Sequence, residues 1–153
     1  MAIKLFPGIE ALKSCVGQEV SISDWLSVTQ SRINAFADVT DDHQWIHTDP
    51  ERAAREAPSG ATVAHGFLTL SLIAPLFASA VSVANTRVSI NYGFNRIRFT
   101  APVVSGDRIR ARFTLLEYKE LRPGAQITWK VAVERAGGDK PAVVAEWIMR
   151  CYP

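Results

Sequence analysis

Asp42 and His47 stand five residues apart in the stretch Phe36 to Pro50, FADVTDDHQWIHTDP, at what reads as the end of a helix. A carboxylate and an imidazole so placed can flank one water molecule. The carboxylate takes its proton, and the imidazole, which titrates near neutral pH, orients the water or returns a proton. A second stretch, AHGFLTLSLIAPLF from Ala64 to Phe77, supplies what such a pair lacks. His65-Gly66 opens a long apolar helix, and backbone N–H groups at a helix start can hold negative charge developing on an oxygen.

Those residues need elements to hold them. Residues 3 to 18 read as an irregular or partly helical lead-in, broken by Pro7-Gly8 and Gly17, before a short strand over Glu19 to Ile22. Ser27 or Thr29 can cap a helix in which Ile33, Phe36, Ala37 and Thr40 recur at helical spacing, and this helix delivers Asp42. Asp49-Pro50 is a helix start, ended by Pro58-Ser59-Gly60. The central helix is predicted from Gly66 to roughly Val81, kinked around Pro75, which cannot donate a backbone hydrogen bond.

Four strands are predicted after it. Val88 to Phe94 alternates, but Ile97 and Phe99 fall on the opposite parity, so a bulge or bend is expected between Gly93 and Arg96. Asp107 to Tyr118 turns Ile109, Ala111, Phe113 and Leu115 inward and Arg108, Arg110 and Arg112 toward solvent. Gln126 to Arg135 and Pro141 to Cys151 repeat the alternation, joined by a hairpin turn at Gly137-Gly138-Asp139. A sheet with one apolar face must cover it, and the Gly66 helix is the obvious cover. The fold class predicted is therefore α+β, a hot-dog arrangement with an antiparallel sheet wrapped around an apolar central helix, as one domain over 1–153.

Composition narrows the function. With 153 residues, 48% hydrophobic and 21% charged, the chain can bury a real core without disulfides or a structural metal. A net charge of +2 is too mild to argue for nucleic acid but suits an anionic small molecule. Cys15 and Cys151 form no CxxC, which favours unpaired thiols in a reducing compartment, and the N-terminus lacks a signal peptide's apolar core, so a cytoplasmic location is expected. Residues 57 to 86 carry no Asp, Glu, Lys or Arg, enough to raise a membrane span. Pro75, Gly66 and several hydroxyl residues interrupt that run, and the amphipathic segments around it favour the centre of a globular core.

The segment FADVTDDHQWIHTDPERA resembles the hydratase motif of the MaoC-like, (R)-specific enoyl-CoA hydratase/dehydratase family. AHGFLTLSL resembles that family's segment at the start of the hot-dog helix, and FTAPVVSGDRIR its later strand and Gly-Asp turn. Within the family the likeness is to the nodulation-protein-N-like branch. The resemblance implies that Asp42 and His47 are the catalytic acid and histidine and that the Gly66 N–H serves the oxyanion hole. It implies a homodimer with two sheets joined edge to edge. The family pattern has Gly before the Asp and Asn-Pro inside the pair, where this chain has Asp41, Gln44 and Trp45. Gln44 can still donate and accept hydrogen bonds, and Trp45 reshapes the pocket. Gln44, Trp45 and His65 are expected on the substrate side, with His65 counted as structural rather than catalytic.

The chemistry suited to these residues is reversible hydration of trans-2-enoyl-CoA to (R)-3-hydroxyacyl-CoA. No metal or cofactor is expected beyond the coenzyme A of the acyl thioester, whose phosphates Arg87, Arg96 or Arg98 could meet. Read singly, Asp42 is a helix-end carboxylate and His47 a surface or core histidine. His43 and His47 are spaced as in HExxH zinc sites, but Gln44 cannot be the base and no third ligand stands out. The alternatives are a carrier-protein dehydratase, a thioesterase of the same fold, and a non-catalytic acyl-CoA-binding module.

Overall fold

The computed structural model describes residues 2–153. Strand β1 (Lys4–Phe6) is followed by a 3-10 helix at Ile9–Cys15, which buries Ile9, Leu12 and Cys15 where a partly helical lead-in was expected. β2 spans Glu19–Ile22 as predicted, and the two-residue β3 (Leu26–Ser27) was not foreseen. α1 (Gln30–Thr40) is capped by the Thr29 side chain, which accepts from the Arg32 N–H, and it buries Ile33 and Ala37.

The helix stops at Asp41, whose φ of 57° is left-handed. This is the position where the resembled motif has glycine, and Asp is among the few other residues that tolerate the conformation. Because α1 ends there, Asp42 falls in the loop just beyond it, and His47 is not part of that helix. It lies on a separate single turn, α2 (Trp45–Thr48). Asp49 then caps α3 (Pro50–Glu56) through its carboxylate and the Arg52 N–H, 2.9 Å away.

The central helix is interrupted. α4 (Gly66–Ser71) and α5 (Ile73–Ala78) meet at Leu72, three residues before the proline expected to mark the kink. The displacement has a simple cause, since a proline disrupts the carbonyl four residues earlier, and for Pro75 that carbonyl belongs to Ser71. α5 ends at Ala78 rather than near Val81, because Val81–Val83 forms β4 and pairs in parallel with β1.

The remaining strands are β5 (Val88–Phe99), β6 (Arg108–Glu120), β7 (Ala125–Arg135) and β8 (Val143–Tyr152). Their sheet has the order β2-β6-β7-β8-β5, with antiparallel neighbours, and β3 pairs with β6. The parity change in β5 is real: its register against β8 shifts between Asn91 and Gly93 and again between Phe94 and Arg96. One face of β6, β7 and β8 is apolar and buried, and α5 lies over it. Phe77 is the contact that seats the helix, its ring 5.1, 5.2 and 5.5 Å from those of Phe113, Trp129 and Trp147 on three successive strands. This is the hot-dog arrangement. No helix among the described residues is long and apolar enough to cross a membrane, and the uncharged run 57 to 86 holds α4, α5 and β4.

Candidate active site

Three segments meet at the first turn of α4. The loop after α1 brings Asp42, α2 brings His47, and the chain entering α4 brings His65 and Gly66. What fixes them is a set of hydrogen bonds to backbone atoms. The Val63 carbonyl lies 2.6 Å from His47 Nδ1, and because a carbonyl can only accept, that nitrogen carries the proton, which in the neutral imidazole leaves the lone pair on Nε2. The Val63 N–H donates in turn to the Ile46 carbonyl at 2.9 Å, so α2 and residues 62 to 64 are tied in both directions. Ala64 N–H reaches the Val103 carbonyl at 2.8 Å, anchoring the same segment beside the sheet.

Gln30 completes this frame, and the sequence reading missed it. Its amide donates to the His47 carbonyl at 2.7 Å and to Asn34 Oδ1 at 2.8 Å, while its carbonyl oxygen accepts from the Thr62 hydroxyl. No local pattern marks a glutamine in the first turn of a helix as the partner of a residue 17 positions on.

Of the expected residues, Asp42, His47 and His65 are brought within 4.8 Å of one another, measured between ligand-type atoms. The Asp42 side chain is 52% exposed, and its Oδ2 lies 4.0 Å from His65 Nε2. His47 is buried. Gly66 is the first residue of α4, where backbone N–H groups have no carbonyl a turn earlier to meet. With α4 only six residues long before its interruption, the N–H itself matters here more than any dipole of a long helix. A Cβ at Gly66 would lie 3.2 Å from two carbons of the Phe99 ring, so glycine is explained by close approach of that ring. The ring and Gly66 also border a cavity of about 280 Å³ that includes Thr69, Pro102 and Val143.

The three expected substrate-side residues fare differently. Gln44 is exposed, at the N-cap of α2. Trp45 is half-buried, with the Arg52 guanidinium 4.4 Å above its ring, so this bulky replacement is held against α3 by a cation–π contact. His65 is buried, 3% exposed, beside Asp42 and His47. Its ring stacks on His47, with centroids 3.8 Å apart and planes 25° from parallel.

The HExxH spacing leads nowhere, because His43 is exposed and turns to Asp38 at 3.7 Å. The cluster that does form has three ligand-type residues, one carboxylate and two imidazoles, but a poor shape for a metal. His47 Nδ1 and His65 Nε2 are engaged by carbonyls. The two rings are stacked, with centroids 3.8 Å apart and planes 25° from parallel, so a cation about 2.1 Å from one nitrogen and in its ring plane would stand out of the other ring's plane.

A hot-dog sheet around a helix whose first turn meets an acid–histidine pair defines the class of thioester hydratases and dehydratases. Residues 12–136 match the family described as "MaoC like domain", and the chain belongs to that family. It is a hydro-lyase of the MaoC-like (R)-hydratase/dehydratase group. It is similar to 3-hydroxyacyl-thioester dehydratase Z of Mycobacterium tuberculosis, 46% identical over 149 residues, or 97% of this chain and 98% of that one. It is also similar to nodulation protein N of Rhizobium meliloti, 45% identical over 139 residues, or 90% and 86% of the two chains. Among solved structures, an unliganded R-hydratase from Pseudomonas aeruginosa superposes with a TM-score of 0.72 at 27% identity, covering 90% of this chain and 81% of that one.

Proposed function

We propose that the protein catalyses the reversible hydration of trans-2-enoyl-CoA to (R)-3-hydroxyacyl-CoA. The observation that carries this reading is the convergence of the Asp42 carboxylate, His47 with its Nε2 lone pair free, and the Gly66 N–H at one helix start. In the hydration direction Asp42 and His47 hold one water between them, and Asp42 takes its proton. The oxygen forms a bond to C3 of the enoyl thioester, and the electron pair of the C2–C3 double bond moves toward the thioester carbonyl. The Gly66 N–H binds the resulting enolate oxygen, and the proton taken from the water returns to C2. Positioned proton transfer is worth on the order of 10²–10⁴-fold, and an oxyanion donor about 2.7–4 kcal/mol. The reverse sequence dehydrates. No step calls for a metal or redox cofactor.

The partner we propose is a second copy. β5 is an edge strand of twelve residues whose outer side is unpaired, and it exposes Val88, Ile90, Tyr92 and Phe99. Phe67, 69% exposed, extends this apolar strip to the site through an edge-on contact with Phe99. Pairing of two β5 strands would remove both the open edge and the strip. Arg96 and Arg98, exposed on the same strand, and the exposed Arg87 before it are candidates for the phosphates of coenzyme A. Cys15 and Cys151 are buried and unpaired, which supports a reducing, cytoplasmic setting.

The test is product analysis after incubation with trans-2-enoyl-CoA of several chain lengths. The proposal expects the (R)-3-hydroxyacyl-CoA with no free thiol released. Release of free coenzyme A would make the protein a thioesterase, and tight binding without product would make it a binding module.

A further inference from the structure

His65 is the buried group that the mechanism above leaves unused, and its surroundings are unusual for a merely structural histidine. Its Nε2 lies 2.9 Å from the Asp42 backbone carbonyl, so that nitrogen bears the proton and donates. Its Nδ1 is buried and has no hydrogen-bond partner among the described residues. One face of the ring lies against His47, at 3.8 Å, and Phe36 of α1 packs near it at 5.0 Å with the rings tilted by 53°. The ring thus makes a single directional bond, to the residue carrying the general base, and one close stack, on the other member of the pair.

We propose that His65 is a positioning residue that sets Asp42 and His47 relative to each other, a role that rests on the reading of these two as the catalytic pair. Asp42 needs such a brace. It follows Asp41, where the chain reverses through a left-handed conformation, and its carboxylate is half exposed. The place of that carboxylate therefore follows from where its own backbone is held, and the His65 bond holds it. His47 is pinned along one edge by Val63, which leaves its ring free to tip about that bond, and the flat face of His65 blocks the tipping. Among the described residues, the titratable groups found against His65 are Asp42 from the loop and His47 from α2, while α1 presents Phe36. Imidazole meets both demands at once, a neutral N–H donor and a flat ring. Phenylalanine keeps the ring and loses the donor; glutamine keeps a donor and loses the ring.

These two substitutions and a double variant test the role. His65→Phe and His65→Gln are compared with wild type for kcat, KM and melting temperature on one trans-2-enoyl-CoA. Displacement of a reacting group by about an ångström costs on the order of 100-fold, so His65→Phe is expected to lower kcat by roughly 10–100-fold with KM within about twofold, and His65→Gln to lie between it and wild type. In the Asp42→Asn/His65→Phe protein the second change is expected to add nothing to the first, because His65 acts through Asp42. Wild-type kcat in folded His65→Phe would overturn the proposal, as would a raised KM at unchanged kcat or a double variant slower by the product of the single effects. Nitrogen-15 spectra of the wild-type imidazoles read the same arrangement without turnover, with His65 expected as the Nε2–H tautomer and His47 as the Nδ1–H tautomer. The opposite tautomer at His65 overturns the proposal even where a variant fails to fold. If wild type hydrates no enoyl thioester, the proposed function fails, and the nitrogen spectra still decide whether His65 holds Asp42.

Discussion

The sheet of β6, β7 and β8 and the segment from Asp41 to Gly66 are built on different principles. In the sheet, order comes from repetition: Ile109, Ala111, Phe113 and Leu115, then Ile127, Trp129, Val131 and Val133, then Val143, Ala145, Trp147 and Met149, all buried on one face. Each residue is fixed by many neighbours, and none of those bonds is unique. In the site segment, order comes from single hydrogen bonds to backbone carbonyls made by Gln30, His47 and His65. The sheet therefore governs whether the chain folds, and the segment governs where two side chains point.

If that division is right, the largest change in stability belongs to the sheet. Trp129→Ala removes the largest fully buried ring, including its contact with Phe77, and is expected to cost about 3–5 kcal/mol, read by urea unfolding. A loss below about 1 kcal/mol would show that the sheet is not the stabilising half of the molecule.

Gly66→Ala probes the other half. The new methyl meets the Phe99 ring at 3.2 Å, and because that ring is 50% exposed it can swing aside. Stability is expected to change by less than about 1 kcal/mol, while kcat falls by roughly tenfold as the ring and the N–H shift. Equal damage to both quantities would blur the division.

The outer face of the sheet offers a smaller, pH-dependent test. Glu134 accepts from the Nε of Arg110 at 2.9 Å and from the Nε of Arg112 at 2.5 Å, and Arg112 also reaches Glu19. Burial pushes the Glu134 carboxyl up, but the two arginine hydrogen bonds outweigh it and hold it below the ordinary glutamate value. A lowered folded pKa adds stability above the unfolded carboxylate range, and that stability is lost as pH falls through the folded value. Glu134→Gln is therefore expected to lower stability at pH 7 by under about 1 kcal/mol, since the group is partly solvated, and the difference from wild type to shrink as pH falls through the folded value. A difference that persists in acid would point to packing instead.

The smallest effect is expected at Asp41. Glycine relieves the left-handed backbone at a helix end, so Asp41→Gly should raise stability by about 0.5–1 kcal/mol without changing kcat. A fall in kcat would show that Asp41 belongs to the site.

The same division explains what could be read from sequence. The long strands were legible because alternation over ten residues cannot be mistaken, and even the two register shifts in β5 left a trace in the parity of Ile97 and Phe99. β1 and β3, three and two residues long, carry no period. The Pro75 interruption was foreseen but placed at the proline itself, although its effect falls a turn earlier, at Leu72. At the site, the meeting of Asp42 and His47 beside the first turn of α4 was legible through their motif. Gln30 and the inward place of His65 were not, because both depend on which carbonyl the folded chain brings near.

The most direct measurement is the loss of conjugated enoyl-thioester absorbance, run on wild type and Asp42→Asn with the melting temperature of each recorded alongside. The account expects wild type to consume the substrate, and Asp42→Asn to be slower by on the order of 10²–10⁴-fold while melting within a few degrees of it. An Asp42→Asn protein that turns over at the wild-type rate would contradict it.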